Sequence, residues 1–359
     1  MAAAINLTNY QLDAGINILR AEMIPPLFNE TRLELSSILS EDLVYNLTVK
    51  NMTSCSQRTP QVETIQFGIP KLCNPGDAVI NEILFNPFPN GFDYLEIYNR
   101  SKKILDLSTL RIASRNAAGQ LQSTSIIPSE PQLFFPGEYR VFTTDSSWIR
   151  RNYFNTDSRT VIQLPSFPSY PDREGTAVLL NSVFEVVDEV SYSEKWHFPL
   201  LTSTEGVSLE RINPELPSGQ ASSWHSGAST VNYGTPGIQN SQLVGGVSAG
   251  GVLEPDKLKF EISPRRLSPN HDGIEDRLII HYSSPDAGYM AGIRVFDARG
   301  RPVRIVAHNA LLGKSGLFTW DGLDDLQRPL AKGIYIVWVE WFNLQGKRSS
   351  WKEGVLLQW

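Results

Sequence analysis

Short apolar runs alternate with polar residues along almost the whole chain and stop at Gly, Pro, Asn or Asp. VYNLTVKNM at 44–52 sends Tyr45, Leu47 and Val49 to one face and Val44, Asn46, Thr48 and Lys50 to the other. YLEIYN at 94–99 alternates in the same way. TAVLLN at 176–181, IRVFD at 293–297 and GIYIVWVEWF at 333–342 are rich in β-branched and aromatic residues. Such side chains at period two fit a pleated, half-buried surface, so each run predicts a strand. The glycines of ARGR (298–301) and NLQGK (343–347) predict hairpin turns, because glycine takes positive φ without a Cβ clash. Helical periodicity is confined to 20–27 and 145–154, a turn or two at most. Strands of about five residues between turn signals predict an all-β chain of β-sandwiches.

At roughly 100–200 residues per domain, 359 residues make two to three domains. CNPGD (73–77) interrupts the pattern before AVINEILF. The stretch 234–257 is rich in Gly, Ser and small residues and predicts a flexible linker. The expected division is a first module over 1–74, a second over 75–242, a linker over 243–257 and a last module over 258–359. Thirty-two basic against 38 acidic residues leave a net charge of −6, which argues against a nucleic-acid partner. No apolar run reaches the 18 residues of a membrane span. Two cysteines are too few for a disulfide framework or a four-cysteine zinc site. The five histidines show no H-x-H or H-E-x-x-H spacing.

Residues 76–240 carry a further pattern. Ile80, Asn81 and Glu82 precede an alternating strand with Asp93, Tyr94, Glu96, Tyr98 and Asn99, then Asp106, Leu107 and Ser108. PGEYRVF (136–142), GTAVLLNSVFEVVDEVSY (175–192), EGVSLER (205–211) and YGTPGIQNS (233–241) follow in order. This series resembles the lamin-tail domain, in the version found in large surface proteins of Bacteroidetes. The resemblance implies an Ig-like sandwich that binds or scaffolds. Asn81, Glu82, Glu96 and Asn99 stand near strand ends, where they can satisfy loop N–H groups. A catalytic Glu82/Glu96 pair is the sharper alternative, without a triad partner at any interpretable spacing.

LSEDLVYNLTVKNMTSC (39–55) resembles the end of a bacterial Ig-like domain, matching at Tyr45, Leu47, Thr48, Val49 and Cys55. The earlier strands of that domain would precede Met1, as in a fragment of a longer secreted protein; a small complete cap domain is the other reading. SPNHDGIED (268–276) and the spacing of Trp320, Asp321, Gly322, Leu330, Gly333 and Tyr335 resemble the flagellar hook-capping domain and the C-terminal modules of gliding-motility and type IX secreted proteins. That resemblance implies an all-β terminal module, itself a candidate secretion and anchoring signal.

Asn270, Asp272, Glu275 and Asp276 supply hard oxygens around Gly273, as a structural calcium loop would. A plain Asp-Gly turn explains the same residues. No other cofactor is expected. Cys55 and Cys73 flank one candidate strand at 64–69 and are expected to pair in an oxidising compartment. Pro165, Phe167, Tyr170 and Trp196 are the candidate partner contacts, as a stiff proline loop and an aromatic platform for protein or glycan. Core packing is the alternative for the aromatic residues. These readings converge on a non-enzymatic, exported surface protein of a Gram-negative cell, for adhesion, scaffolding or attachment in an outer-membrane or type IX secretion-related assembly. The alternatives are the accessory tail of a secreted hydrolase or nuclease, and a carbohydrate-binding module.

Overall fold

A computed structural model describes residues 2–41, 43–52, 62–127, 132–153, 156–157, 159–245 and 257–358. The protein is almost entirely β. Among the described residues no helix is long and apolar enough to cross a membrane.

The first module holds β1 (Tyr10–Leu12), β2 (Ile18–Met23), β3 (Thr31–Leu35), β4 (Tyr45–Val49) and β5 (Glu63–Phe67). They form a three-stranded sheet in the order β1-β4-β5 and a separate β2-β3 hairpin. The helical turn expected at 20–27 is absent. Leu33 lies opposite Ala21 in the hairpin register, and pairing overrides weak local helicity. Little is buried here beyond Asn9, Ile16 and Tyr45.

The second module is a sandwich whose strands are short and often broken. It runs through β6 (Ala78–Leu84), β7 (Tyr94–Asn99), β8 (Leu105–Asp106), β9 (Arg111–Arg115), β10 (Leu121–Ile126), β11 (Leu133–Phe134) and β12 (Tyr139–Thr143). After α1 (Ser146–Asn152) come β13 (Val161–Gln163), β14 (Glu174–Leu180), β15 (Val186–Ser193), β16 (Leu209–Arg211) and β17 (Trp224–Ser226). A six-stranded sheet, β13-β12-β7-β6-β16-β17, faces a four-stranded sheet, β10-β9-β14-β15.

Ile80, Ile83, Leu95, Ile97, Leu107 and Leu209 pack between the sheets. Val141 packs beneath α1 with Leu84, Tyr94, Trp148 and Tyr153. Val178 and Leu180 form a small cluster with Ala113. The alternation of β6 and β14 is thus buried on both sides. Asp145 caps α1 by accepting from the Ser147 and Trp148 backbone N–H groups.

Cys73 belongs to this core. It is buried as a free thiol, and burial pushes it up to about 12. Cys55 and the proposed Cys55–Cys73 bridge lie outside the described residues.

The last module pairs a three-stranded sheet with a five-stranded one. Its strands are β18 (Lys259–Ser263), β19 (Arg266–Leu267), β20 (Leu278–Ser283), β21 (Tyr289–Asp297), β22 (Pro302–Leu311), β23 (Ser315–Trp320), β24 (Gly333–Asn343) and β25 (Arg348–Leu357). The orders are β18-β20-β23 and β19-β25-β24-β21-β22. Gly300 and Gly346 take positive φ in the expected hairpin turns. Phe260, Ile280, Ile293, Trp320, Val337 and Val339 fill the core.

The last two modules pack against each other, while the flexible linker expected over 243–257 lies, but for its ends, outside the described residues. Phe198 of the second module meets Met290 and Leu311 of the last, with Leu201, Tyr233 and Phe342 around them. The Ser241 carbonyl accepts from Lys314 N at 2.8 Å, and Ser229 Oγ donates to the Leu311 carbonyl at 2.8 Å. Only 246–256 lie outside the described part of that stretch.

Candidate functional site: a buried carboxylate cluster and the cleft between modules

Glu82 on β6, Glu96 on β7 and Glu210 on β16 are fully buried in neighbouring strands of one sheet. Their oxygens grip the segment 233–242, which closes the second module. Glu82 Oε1 accepts from Tyr94 Oη at 2.6 Å, Ser208 Oγ at 2.5 Å and Thr235 N at 2.9 Å. Glu96 Oε2 accepts from Gly237 N at 2.6 Å, and its Oε1 accepts from Asn81 Nδ2 at 2.7 Å. Glu210 Oε2 accepts from Gln242 N at 3.0 Å and Ser241 Oγ at 2.8 Å. Asn240 Nδ2 ties the segment to the Asn81 and Arg211 carbonyls.

The loop-holding role expected for Asn81, Glu82 and Glu96 is therefore what the geometry displays. Asn99 does the same for the Lys103 and Phe134 carbonyls. Glu210, Thr235 and Asn240, which sequence reasoning did not single out, complete the cluster.

Burial raises the pKa of all three glutamates, because the charged form loses hydration, and Glu82 raises both of its neighbours further. Glu210 is pushed up to about 8. The hydrogen bonds agree with a protonated carboxyl. Thr235 Oγ1 sits 3.0 Å from Glu82 Oε2 and 3.1 Å from Glu210 Oε1, yet one hydroxyl carries one proton. A proton on Glu210 satisfies the second contact.

A second buried group ties the two sheets together. Arg211 donates to the Ile80 carbonyl at 2.9 Å and to Asp188 Oδ2 on β15 at 3.2 Å. Asp188 Oδ2 also accepts from Ile80 N at 2.8 Å.

Beside this cluster a cleft of about 410 Å³ opens between the modules. Trp196, His197, Phe198 and His225 line it from the second module, and Ala287, Gly288 and Gln345 from the last. Gly288 allows the close approach: a Cβ there would meet the Phe198 ring at 3.3 Å and His225 Nε2 at 3.5 Å. His197 Nδ1 lies 3.0 Å from Ser226 Oγ, which also accepts from Phe198 N at 2.9 Å. A hydroxyl can accept twice and donate once, so this contact forms with either ring tautomer of His197. Nε2 is buried without a hydrogen-bond partner. Burial, reinforced by His225, holds the His197 pKa down to about 4.

The candidate partner contacts separate. Trp196 lines the cleft, half-buried. Pro165 is exposed elsewhere, and Phe167 leans on the sandwich core. Tyr170 is 2% exposed and donates to the Ala113 carbonyl at 3.4 Å, so it serves the core and not a contact surface. Phe167 and Tyr170 pack edge to face at 5.3 Å, which accounts for their joint presence.

The acidic loop is a self-contained turn. Asp276 accepts from His271 N at 2.7 Å and Gly273 N at 2.8 Å. Asp272 Oδ1 accepts from Ile274 N at 2.8 Å, and Asn270 Oδ1 from Asp272 N at 3.0 Å. These oxygens, offered to a cation in the calcium reading, are engaged by the loop's own backbone. Glu275 adopts φ 55°. Among the described residues no three His, Cys, Asp or Glu side chains form a metal-binding group.

No protein-family model matches the chain, and no curated protein does. Solved structures with distant likeness exist. Dimeric latent PorU from Porphyromonas gingivalis aligns at 10% identity and a TM-score of 0.23, over 88% of this chain and 24% of that one. PorZ, described as an essential surface component of the type IX secretion system of the same bacterium, aligns at 11% and 0.23, over 89% and 44%. A calcium-stabilised adhesin with which an Antarctic bacterium binds ice aligns at 7% and 0.17, over 88% and 57%. The chain thus spans less than two thirds of each of these proteins.

Proposed function

We propose that this chain is a non-enzymatic, exported surface protein in which a lamin-tail-type sandwich and a C-terminal Ig-like module form one rigid arm for adhesion, scaffolding or attachment. The setting would be an outer-membrane or type IX secretion-related assembly of a Gram-negative cell. One observation carries the reading. The carboxylates that could have formed a catalytic pair are fully buried, and they hold the loop that joins the two modules. A general acid or base needs access to a reacting group, and here protein donors surround Glu82, Glu96 and Glu210.

The lamin-tail and terminal-module motifs support export to the surface. Immunolabelling of intact source cells tests it. Labelling of unpermeabilised cells is expected for the full chain and not for one lacking residues 257–359. Label only after permeabilisation, with the full chain, would refute the surface role.

A further inference from the structure

We propose that the free edge of β25 docks an extended acidic segment of a partner protein, which joins the five-stranded sheet of the last module as a further antiparallel strand. The segment carries a large apolar residue followed two positions later by Asp or Glu, read by Gly354 and Lys352. This rests on the attachment role argued above and adds the chemistry of the partner.

β25 pairs with β24 along its whole length, from Arg348 to Leu357, without a register shift. On its other side β19 covers only Leu356 and Leu357. There the Leu356 and Gln358 N–H groups donate to the Arg265 and Leu267 carbonyls, so even-numbered residues of β25 turn their backbone groups away from β24. Backbone direction alternates along a strand, so Ser350, Lys352 and Gly354 also direct their N–H and C=O groups outward. Among the described residues no strand pairs with them on that side. Such a row is a template for main-chain pairing, and an extended polypeptide matches its spacing.

The side chains of these residues lie on the outer face of the sheet. Gly354 leaves a notch in it: a Cβ there would meet nothing within 4 Å. Ile336, directly across from Gly354, and Leu356, next along the strand, are exposed beside the notch. A large apolar side chain opposite Gly354 would cover both. Across the sheet, Arg294, Trp338 and Lys352 stand in one row, with the Arg294 guanidinium over the indole at 5.9 Å. Arg348 is paired with Glu340, which leaves Lys352 as the exposed charge in the middle of the free edge.

Charge selects the partner. A lysine on an edge opposes any strand that does not bring the opposite charge. A second copy brings the same charge. Two β25 edges paired antiparallel about Lys352 set lysine opposite lysine, and paired about Ser350 they set Lys352 opposite Arg348. A carboxylate opposite Lys352 removes the opposition. In an antiparallel pair that carboxylate follows the residue opposite Gly354 by two positions, which gives the order of the motif.

The test is fluorescence polarisation of a labelled peptide, Thr-Phe-Thr-Glu-Val-Thr-Val, with the intact chain. It sets Phe opposite Gly354 and Glu opposite Lys352. Saturable binding is expected, with slower hydrogen exchange at the Lys352 and Gly354 amides. Lys352→Glu, at an exposed position, should lower the affinity at least tenfold and favour the peptide carrying Lys in place of Glu. Gly354→Val fills the notch and should lower it severalfold. Methylation of the peptide's Glu nitrogen removes the N–H aimed at the Lys352 carbonyl and should abolish binding. Melting temperatures identify any variant that fails to fold, and the methylated peptide tests the pairing without a variant. No binding of the parent peptide overturns the proposal, as does equal binding of the methylated one or an unchanged affinity in folded Lys352→Glu. Surface labelling of cells is independent of this result, so the partner's chemistry can fail while the surface role stands.

Discussion

Glu210→Gln should flatten the dependence of stability on pH. In the folded chain Glu210 is pushed up to about 8, chiefly by burial and then by Glu82. In the unfolded chain a glutamate titrates near its ordinary value of about 4.3. A raised folded pKa gives stability that is complete below the unfolded value and is lost as pH rises through the folded one. Between those values the unfolded chain has released the proton and the folded chain still holds it. The loss is about 1.4 kcal/mol per pH unit. Over pH 5 to 8 that amounts to about 4 kcal/mol, with further loss from Glu82 and Glu96, whose values are raised too. His197 works in the opposite sense, since its value is depressed to about 4 and its contribution is lost on acidification below about 6.5. The measurement is therefore a comparison at each pH. Urea unfolding of wild type and Glu210→Gln at pH 5, 6.5 and 8 gives two slopes. The wild-type curve should fall more steeply by up to about 1.4 kcal/mol per unit. Parallel slopes would show that Glu210 is ionised in the folded chain and would remove the shared-proton account of Thr235.

Thr235→Val keeps the volume but removes the hydroxyl shared by Glu82 and Glu210, and should cost about 1–3 kcal/mol; a neutral result by urea titration would mean the hydroxyl is not needed. Gly313→Ala places a Cβ 2.6 Å from the Ser241 carbonyl, so the modules must separate locally, at about 1–3 kcal/mol. Hydrogen exchange at the Lys314 amide, which donates to the Ser241 carbonyl, should then accelerate, and an unchanged rate would count against the packed joint. Calcium added to a chelator-treated sample should leave the melting temperature where it was, because the loop backbone engages Asn270, Asp272 and Asp276. An occupied site at 100 times its dissociation constant would add about 2.7 kcal/mol. Cys73 should resist alkylation in the native chain, since its buried thiol is pushed up to about 12; rapid labelling at that position would contradict the packing.

The strands were legible because their signal is local. The runs at 94–99 and 333–342 became β7 and β24, as period-two patterning requires. The helical stretch at 145–154 appears as α1, and Asp145 is its cap. The stretch at 20–27 carried a comparable helical signal but found a strand partner. Asn81, Glu82 and Glu96 stood out as polar residues in apolar strands. Glu210 escaped notice because its grip on Ser241 and Gln242 spans 31 and 32 positions and exists only after the module closes. The cleft was legible only at Trp196. Its opposite wall, Gly288, comes from a loop 92 residues further on, and no periodicity relates them.

The segment 233–242 explains why the glycine-rich stretch is stiff where it touches the structure. One side of it is held by Glu82, Glu96 and Glu210. From the other side Gln242 Nε2 donates to the Leu312 carbonyl at 3.3 Å, and the Ser241 carbonyl receives Lys314 N. Glycines 234 and 237 permit this grip. A Cβ at Gly237 would lie 2.0 Å from Thr160 Oγ1, and one at Gly234 2.5 Å from the Tyr153 ring. They admit close approach where a flexible linker would use glycine for freedom. Closure of the sandwich and docking of the last module are thus a single event built on the same ten residues. Disturbance of the carboxylate cluster should reach the cleft through Ser226, whose carbonyl accepts from Gln242 Nε2 at 3.0 Å and whose hydroxyl orients His197.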